Sequence, residues 1–249
     1  NNIAGRRETY QASQGTAIVD ALGLVAAGTG ATSMTLKRAD IPHMTSVIHD
    51  SSHASYYPGA TPLTIKLLFD RTGHILGAQA VGEKGVDKRI DVLATALRMN
   101  ATVEDLQRLE LAYAPQFGTA RDPVNIAGFV AGNILAGNVS TVEATQVPEL
   151  EAVATFLDVR EPREHDRGCI PGSLNIPLSQ LRQRLNEIPR GKPVVVYCEI
   201  GRRAYIACRA LRQLGLDVAN LAGGWRSYAA VKSDCKTKIC LYRQSPQED

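Results

Sequence analysis

The chain has 249 residues, room for two domains. Hydrophobic residues make up 44% and charged residues 21%, the balance of a soluble globular protein, and a net charge of +3 is too small to argue for nucleic acid. No apolar run is long enough for a membrane helix, and no secretory signal opens the sequence.

The N-terminal half reads as follows. Gly28-Thr-Gly30 lacks the preceding strand and third glycine of a dinucleotide loop, so it reads as a turn. Pro62 to Asp70 and His74 to Gly82 are strand-like, with Asp70-Arg-Thr-Gly73 as the turn between them. Val86 to Met99 has helical spacing at Val86, Ile90, Leu93, Ala94 and Leu97. Thr102 and Asp105 read as N-cap and first-turn acid of a helix running to about Leu109. Asp122-Pro123 opens a third helix, rich in small residues, through Leu135. Lys88 and Arg89 read as a solvated helix face, with an anion-binding rim as the other option. Residues 138–147 are polar and read as a linker ending before Pro148.

The C-terminal half holds all the cysteines, at 169, 198, 208, 235 and 240. A disulfide framework would spread over the fold, so reduced thiols and a cytoplasmic setting are expected. Cys235 and Cys240 do not make a zinc spacing, and no metal site is expected. Val194-Val-Val-Tyr197 is a buried strand that delivers Cys198 to a short loop holding Gly201, Arg202 and Arg203. A helical run over 205–215 follows, with apolar residues at 206, 207, 210, 211 and 214. Backbone N–H groups at a helix N-terminus, the helix dipole and nearby guanidinium groups favour a sulfur anion at such a thiol. Cys208 falls inside the helix and reads as buried and unreactive. Asp158 and Arg160 read as a buried pair or turn network rather than as catalytic groups, and Glu164 reads the same way.

Cys198 and Arg203 bracket four residues, and this loop resembles the Cys-x-x-Gly-x-Arg-Ala loop of the rhodanese sulfurtransferases. Related phosphatases have a loop one residue longer, with Arg where this chain has Ala204. The resemblance therefore implies a terminal sulfur on Cys198 rather than a phosphate ester. Phe156 to Glu164, Gly168 to Pro177 and Asn220-Leu-Ala-Gly-Gly-Trp-Arg226 resemble the opening and closing segments of the same family. It implies Cys198 as the catalytic residue, with Glu199, Ile200, Gly201, Arg202 and Arg203 as the sulfur- and anion-binding loop. Arg203 is the better candidate of the two arginines for the anionic part of a donor. One departure is Cys169, where the family usually has His.

His53-Ala-Ser-Tyr-Tyr-Pro-Gly-Ala60, Gly77 to Gly82, Gly85 to Asp91, Leu109 to Pro115 and Asp122-Pro-Val-Asn125 resemble a second family. This is the dimerisation domain of the FAD-dependent pyridine nucleotide-disulfide reductases, in the branch of coenzyme A-disulfide and persulfide or polysulfide reductases. The implied fold is α/β and α+β in two domains. An antiparallel-sheet dimerisation domain with helices precedes a rhodanese-like α/β domain with a parallel sheet. The expected boundaries are 1–14 (remnant of a flavin-domain helix), 15–137, 138–147 (linker), 148–232 and 233–249 (tail).

The resemblance implies the C-terminal part of a longer reductase. This part alone would hold no cofactor, whereas the complete enzyme would use FAD, NADH and coenzyme A. Its partners would be a second copy, small sulfur donors and thiols, and the flavin and NAD domains of the same polypeptide, with no nucleic acid or membrane. Tyr56 and Tyr113 are the implied substrate contacts across the dimer, with Tyr57 competing with Tyr56 and interface packing as the open alternative. His49 and His53 read as structural or surface residues. The other functional reading is a non-catalytic dimerisation module with a sulfur-binding or regulatory appendage.

Overall fold

The computed structural model describes residues 2–5, 7, 9, 10 and 12–242, with side chains described as far as Ser233. Cys235 and Cys240 lie beyond those side chains. The chain divides into two compact units, residues 1–45 with 50–129 and residues 46–49 with 130–249.

The first unit is built on a five-stranded sheet of order β1-β2-β5-β4-β3. Its strands are β1 (Ala17–Ala21), β2 (Leu24–Gly30), β3 (Met44–Ser51), β4 (Pro62–Phe69) and β5 (Ile75–Gly82). The pairs β1–β2, β2–β5 and β4–β5 are antiparallel. Between β4 and β5, Asp70 Oδ1 accepts from the N–H groups of Thr72 (2.8 Å) and His74 (3.0 Å), and Gly73 turns at φ +89. A short helix, α1 (Ser33–Arg38), follows β2. Helix α2 (Val86–Arg98) buries Val86, Ile90, Leu93 and Ala96. Helix α3 (Val103–Arg108) has a capping box between Thr102 and Asp105, and α4 (Pro123–Leu135) completes the layer.

Three expectations are corrected here. Gly28-Thr-Gly30 is not a turn: it is the end of β2, with Gly28 paired to Ala17 on one side and Gln79 on the other. The β1–β2 hairpin has no counterpart in the sequence reading, because its two-residue turn is Leu22-Gly23, with φ of +57 and +83. Arg89 is not on a solvated face: it is 1% exposed and bound to Asp122.

The second unit has a five-stranded parallel sheet of order β6-β10-β9-β7-β8. Its strands are β6 (Ser140–Val142), β7 (Thr155–Asp158), β8 (Leu174–Asn175), β9 (Val194–Tyr197) and β10 (Val218–Leu221). Its helices are α5 (Val147–Leu150), α6 (Pro162–Asp166), α7 (Arg202–Gln213) and α8 (Gly224–Tyr242). Alternate residues of β9 serve two cores. Val194 and Val196 pack with Ala204, Ala207 and Leu211 of α7, while Val195 and Tyr197 pack with Val147 and Tyr228. Full burial on both faces explains the unbroken β-branched run.

Three element limits differ from expectation. Residues 138–147 are not a linker, since β6 pairs with β10 and Val147 is buried in the core. Residues 233–242 continue α8 rather than starting a tail. The helix after Cys198 also begins at Arg202, three residues early, and turns Ile206 and Leu214 outward, both about half exposed.

Gly77 marks the tightest backbone approach in the first unit. A Cβ there would strike the carbonyl oxygen of Ala31 and lie 2.7 Å from its nitrogen. Gly77→Ala is expected to destabilise this unit by about 2–3 kcal/mol. Hydrogen exchange checks it: β4 and β5 amides lose protection while β9 amides keep theirs. Unchanged protection in β5 would mean that the Ala31 backbone can retreat.

Candidate active site

Cys198 follows the last residue of β9 and is 1% exposed. Its loop ends at Gly201, which takes φ +93 and caps α7. The loop is held by its carbonyls. Cys198 O accepts from Trp225 N–H at 2.8 Å and Glu199 O from Arg226 N–H at 3.0 Å. Gly201 O accepts from Asn220 Nδ2 at 3.1 Å. In a trans peptide the N–H points opposite its carbonyl. Fixing these oxygens on the 220–226 segment therefore turns the following N–H groups, of Glu199, Ile200 and Arg202, away from that segment. Gly224, at φ +61, permits the approach, since a Cβ there would strike Cys198 O.

Charged groups surround the loop in pairs. Asp158 ends β7 and accepts from Arg160 Nε (3.0 Å to Oδ1) and Nη2 (2.8 Å to Oδ2), and His165 Nδ1 lies 2.9 Å from Oδ2. Arg160 also donates to Gly168 O at 2.7 Å and reaches Glu199 Oε2 at 3.5 Å. Its guanidinium lies over the rings of Trp225 and Tyr197, 5.1 and 5.5 Å from their centroids. Arg226 Nε stands 3.9 Å from Glu199 Oε1.

Arg203 donates from both Nη atoms to both oxygens of Glu164, at 2.6 Å each. Hydrogen bonding to Arg203 brings the Glu164 carboxyl down to about 2. The same pairing raises Arg203 further above its ordinary range, and charge and hydrogen bonding with Cys198 add to it. Arg202 is exposed, whereas Arg203 is half-buried and is the one of the two loop arginines on which Cys198 acts. Ile200 is half-buried beside them. Sequence reasoning treated Glu164 as structural and gave Asn220 no role, although both lie in segments it singled out.

Cys169, Cys198 and Cys208 are free thiols. Burial pushes the Cys208 thiol up to about 12, and the charge of Cys198 adds to it. Cys208 is therefore a protonated core residue beside Ala204 and Ala207. Among the described residues no group of His, Cys, Asp and Glu could hold a metal ion.

The first unit brings Tyr56 and Tyr113 together. They lie 57 positions apart in sequence, yet their hydroxyls are 3.3 Å apart and the side chains are 76% and 48% exposed. The hydrogen bond from Tyr56 raises the Tyr113 phenol above its usual value. Tyr57 is not part of this pair; its ring stands edge-on to His53 at 6.0 Å. Gly28 and Gly30 lie on an antiparallel strand, not on a strand-turn-helix unit that could cradle a pyrophosphate.

Fold and site define the class. Residues 21–123 match the pyridine nucleotide-disulphide oxidoreductase dimerisation domain and residues 143–231 the rhodanese-like domain. The chain thus carries a dimerisation domain of the first kind followed by a rhodanese-like domain. It is similar to reduced Bacillus anthracis CoADR-RHD, at 44% identity over 94% of this chain and 42% of that one, with a TM-score of 0.90. It is also similar to an NAD-dependent persulfide reductase from A. fulgidus, at 37% identity over 90% of this chain and 40% of that one, TM-score 0.80. Among curated relatives, a coenzyme A disulfide reductase of Staphylococcus epidermidis is 44% identical over 85 residues, 34% of this chain and 19% of that protein. The chain spans about two fifths of the solved relatives and about a fifth of the curated one.

The Gly224 contact is directly testable. Gly224→Ala forces a methyl group into the Cys198 carbonyl and puts a β-carbon on a left-handed residue. Alkylation of Cys198 by iodoacetamide, followed by mass spectrometry, is expected to change by about ten-fold as the loop shifts. A rate equal to that of the parent chain would show that the loop is indifferent to the 220–226 segment.

Proposed function

We propose that this chain provides the dimerisation and sulfur-transfer parts of an FAD- and NADH-dependent coenzyme A-disulfide or persulfide (polysulfide) reductase, in which Cys198 carries sulfane sulfur. The observation that supports it most is the buried thiol of Cys198 at the end of a central parallel strand, beside Arg203 and a loop fixed by its carbonyls. The relatives named for coenzyme A disulfide and persulfide reduction support the reductase half. The flavin and nicotinamide would be held outside these residues in the complete enzyme. No described helix is long and apolar enough to cross a membrane, and a cytoplasmic homodimer is part of the proposal.

In the transfer, the Cys198 thiolate attacks the outer sulfur of a donor such as thiosulfate. The donor S–S bond breaks, and sulfite leaves with the bonding electron pair. Cys198 is left as a persulfide anion, which loop N–H groups and Arg203 can hold. A small thiolate acceptor then attacks the outer sulfur. It leaves as a persulfide, and the Cys198 thiolate returns. Thiosulfate-to-cyanide transfer by the whole chain tests this. Cys198→Ser is expected to abolish thiocyanate formation, whereas Cys169→Ser and Cys208→Ser keep it. Activity surviving in Cys198→Ser would overturn Cys198 as the sulfur carrier, and no transfer by the unaltered chain would leave the reading of a non-catalytic dimerisation module with a sulfur-binding appendage.

The tyrosine pair extends the proposal to the reductase step. Two exposed phenols in hydrogen-bond contact suit donation to a sulfur anion presented by a partner subunit. In the complete enzyme, Tyr113→Phe is expected to slow disulfide or persulfide reduction about ten-fold or more while dimerisation and Cys198-dependent transfer stay intact. Unchanged reduction kinetics would return both phenols to interface packing.

A further inference from the structure

Glu164 stands outside the loop that carries Cys198, yet it determines where one of the loop's cations sits. It lies on α6, just past the carboxyl end of β7. Its Oε2 accepts from the N–H of Glu161 at 3.1 Å, so the carboxylate is fixed to its own turn. Both oxygens then take both Nη atoms of Arg203 at 2.6 Å. This fork-on-fork geometry sets the plane and position of the guanidinium. Without it, a long side chain two residues from the loop glycine would be free to relax into water.

Stability gives little reason for the pair. Both side chains are about one third exposed, and ion pairs at such sites contribute little to folding. Position gives a better one. The clamped guanidinium belongs to the first turn of α7, the helix that the Cys198 loop opens, and Cys198 is among the groups that raise it above its ordinary range. The other cations near the loop are differently engaged: Arg160 is held by Asp158 and Gly168, and Arg226 stands beside Glu199. The Glu164 carboxyl, at about 2, remains ionised at any pH where transfer would be measured.

We propose that Glu164 is a positioning residue for sulfur transfer: it clamps the Arg203 guanidinium beside Cys198, so that the sulfur anion there meets a fixed cation. The inference rests on the reading of Cys198 as the sulfur carrier. Removing Glu164 has two opposed effects. It frees the full charge of Arg203, which favours the anion, and it releases the guanidinium from the site, which disfavours it. The bidentate geometry points to release as the larger effect.

The test uses the full chain with Glu164→Ala and Glu164→Gln. Alkylation of Cys198 by iodoacetamide is followed across pH by mass spectrometry of the Cys198 peptide, so that Cys169 and Cys208 do not contribute. Thermal unfolding and thiosulfate-to-cyanide turnover are measured alongside. In Glu164→Ala the neutral-pH alkylation rate is expected to fall about five-fold, with the profile moved to higher pH. Glu164→Gln, whose amide oxygen can still accept one Arg203 N–H, should fall between, and turnover should follow the same order. A profile that stays in place, or that moves to lower pH, overturns the proposal. If Glu164→Ala does not fold, Glu164→Gln decides by the same criterion. Turnover surviving in Cys198→Ser would sink the parent reading as well. Its loss there, together with an unmoved Glu164 profile, would sink this inference alone.

Discussion

Arg160 is 2% exposed, and a guanidinium so deep in protein is costly unless its donors all find acceptors. Here they do. Nε and Nη2 go to Asp158, Nη2 also reaches Gly168 O, Nη1 points to Glu199, and aromatic rings lie against the planar group. The arrangement ties together the ends of three neighbouring structures. Asp158 closes β7, Glu199 belongs to the loop after β9, and Trp225 opens α8 after β10. Losing either partner would leave a buried charge unpaired, so these loop positions are coupled rather than independent. The carbonyl contacts of Cys198, Glu199 and Gly201 with the 220–226 segment depend on that same registry.

The first unit repeats the device with other residues. Arg89 is buried on α2 and donates from Nε and Nη2 to Asp122, from Nη1 to Gly85 O at 3.1 Å and from Nη2 to Ser52 O at 2.9 Å. Asp122 in turn precedes α4, whose Asn125 donates to the carbonyls of Leu106 and Leu109 at the end of α3. Ser52 begins the loop that carries Tyr56, and Leu109 begins the one that carries Tyr113. Ala54 N–H joins the two loops, donating to Pro115 O and Gly118 O. The loops that bring the two phenols together are thus anchored at their starts by contacts of the buried Arg89–Asp122 pair and of Asn125.

Regular elements with strong local signals were legible in the sequence. The β4 and β5 strands, the Asp70 turn, α2 and the Thr102 capping box all carry their own periodicity or side-chain caps. Elements that depend on partners were not. Strand β6 is the three residues Ser140 to Val142, too short to signal a strand, which pair along the edge of β10. Strand β1 is exposed along its length, and its turn uses Leu22 at positive φ, a position where Asn or Gly would have signalled a hairpin. Arg89 looked like a surface residue because an isolated charge on a helix gives no hint of the aspartate 33 positions away that buries it. At the candidate site the thiol was readable from the strand and loop around it. The bond between Arg203 and Glu164 spans 39 positions and joins the first turn of α7 to α6, so only the folded chain reveals it.

The two candidate centres differ in what each leaves for others to supply. Cys198 is enclosed by its own unit, with its cations already paired and its loop already fixed. A centre built this way suits a small linear sulfur, because a larger group could not reach a thiol that is 1% exposed without moving the loop. The Tyr56–Tyr113 pair is the reverse. Its phenols are in contact with each other but open to water, where a hydrogen bond to a sulfur anion competes with solvent and is worth little. Such donors become effective when another surface excludes that water. On the proposed reading, sulfur transfer is therefore a property of the rhodanese-like unit alone, while the tyrosines act only when a partner covers them.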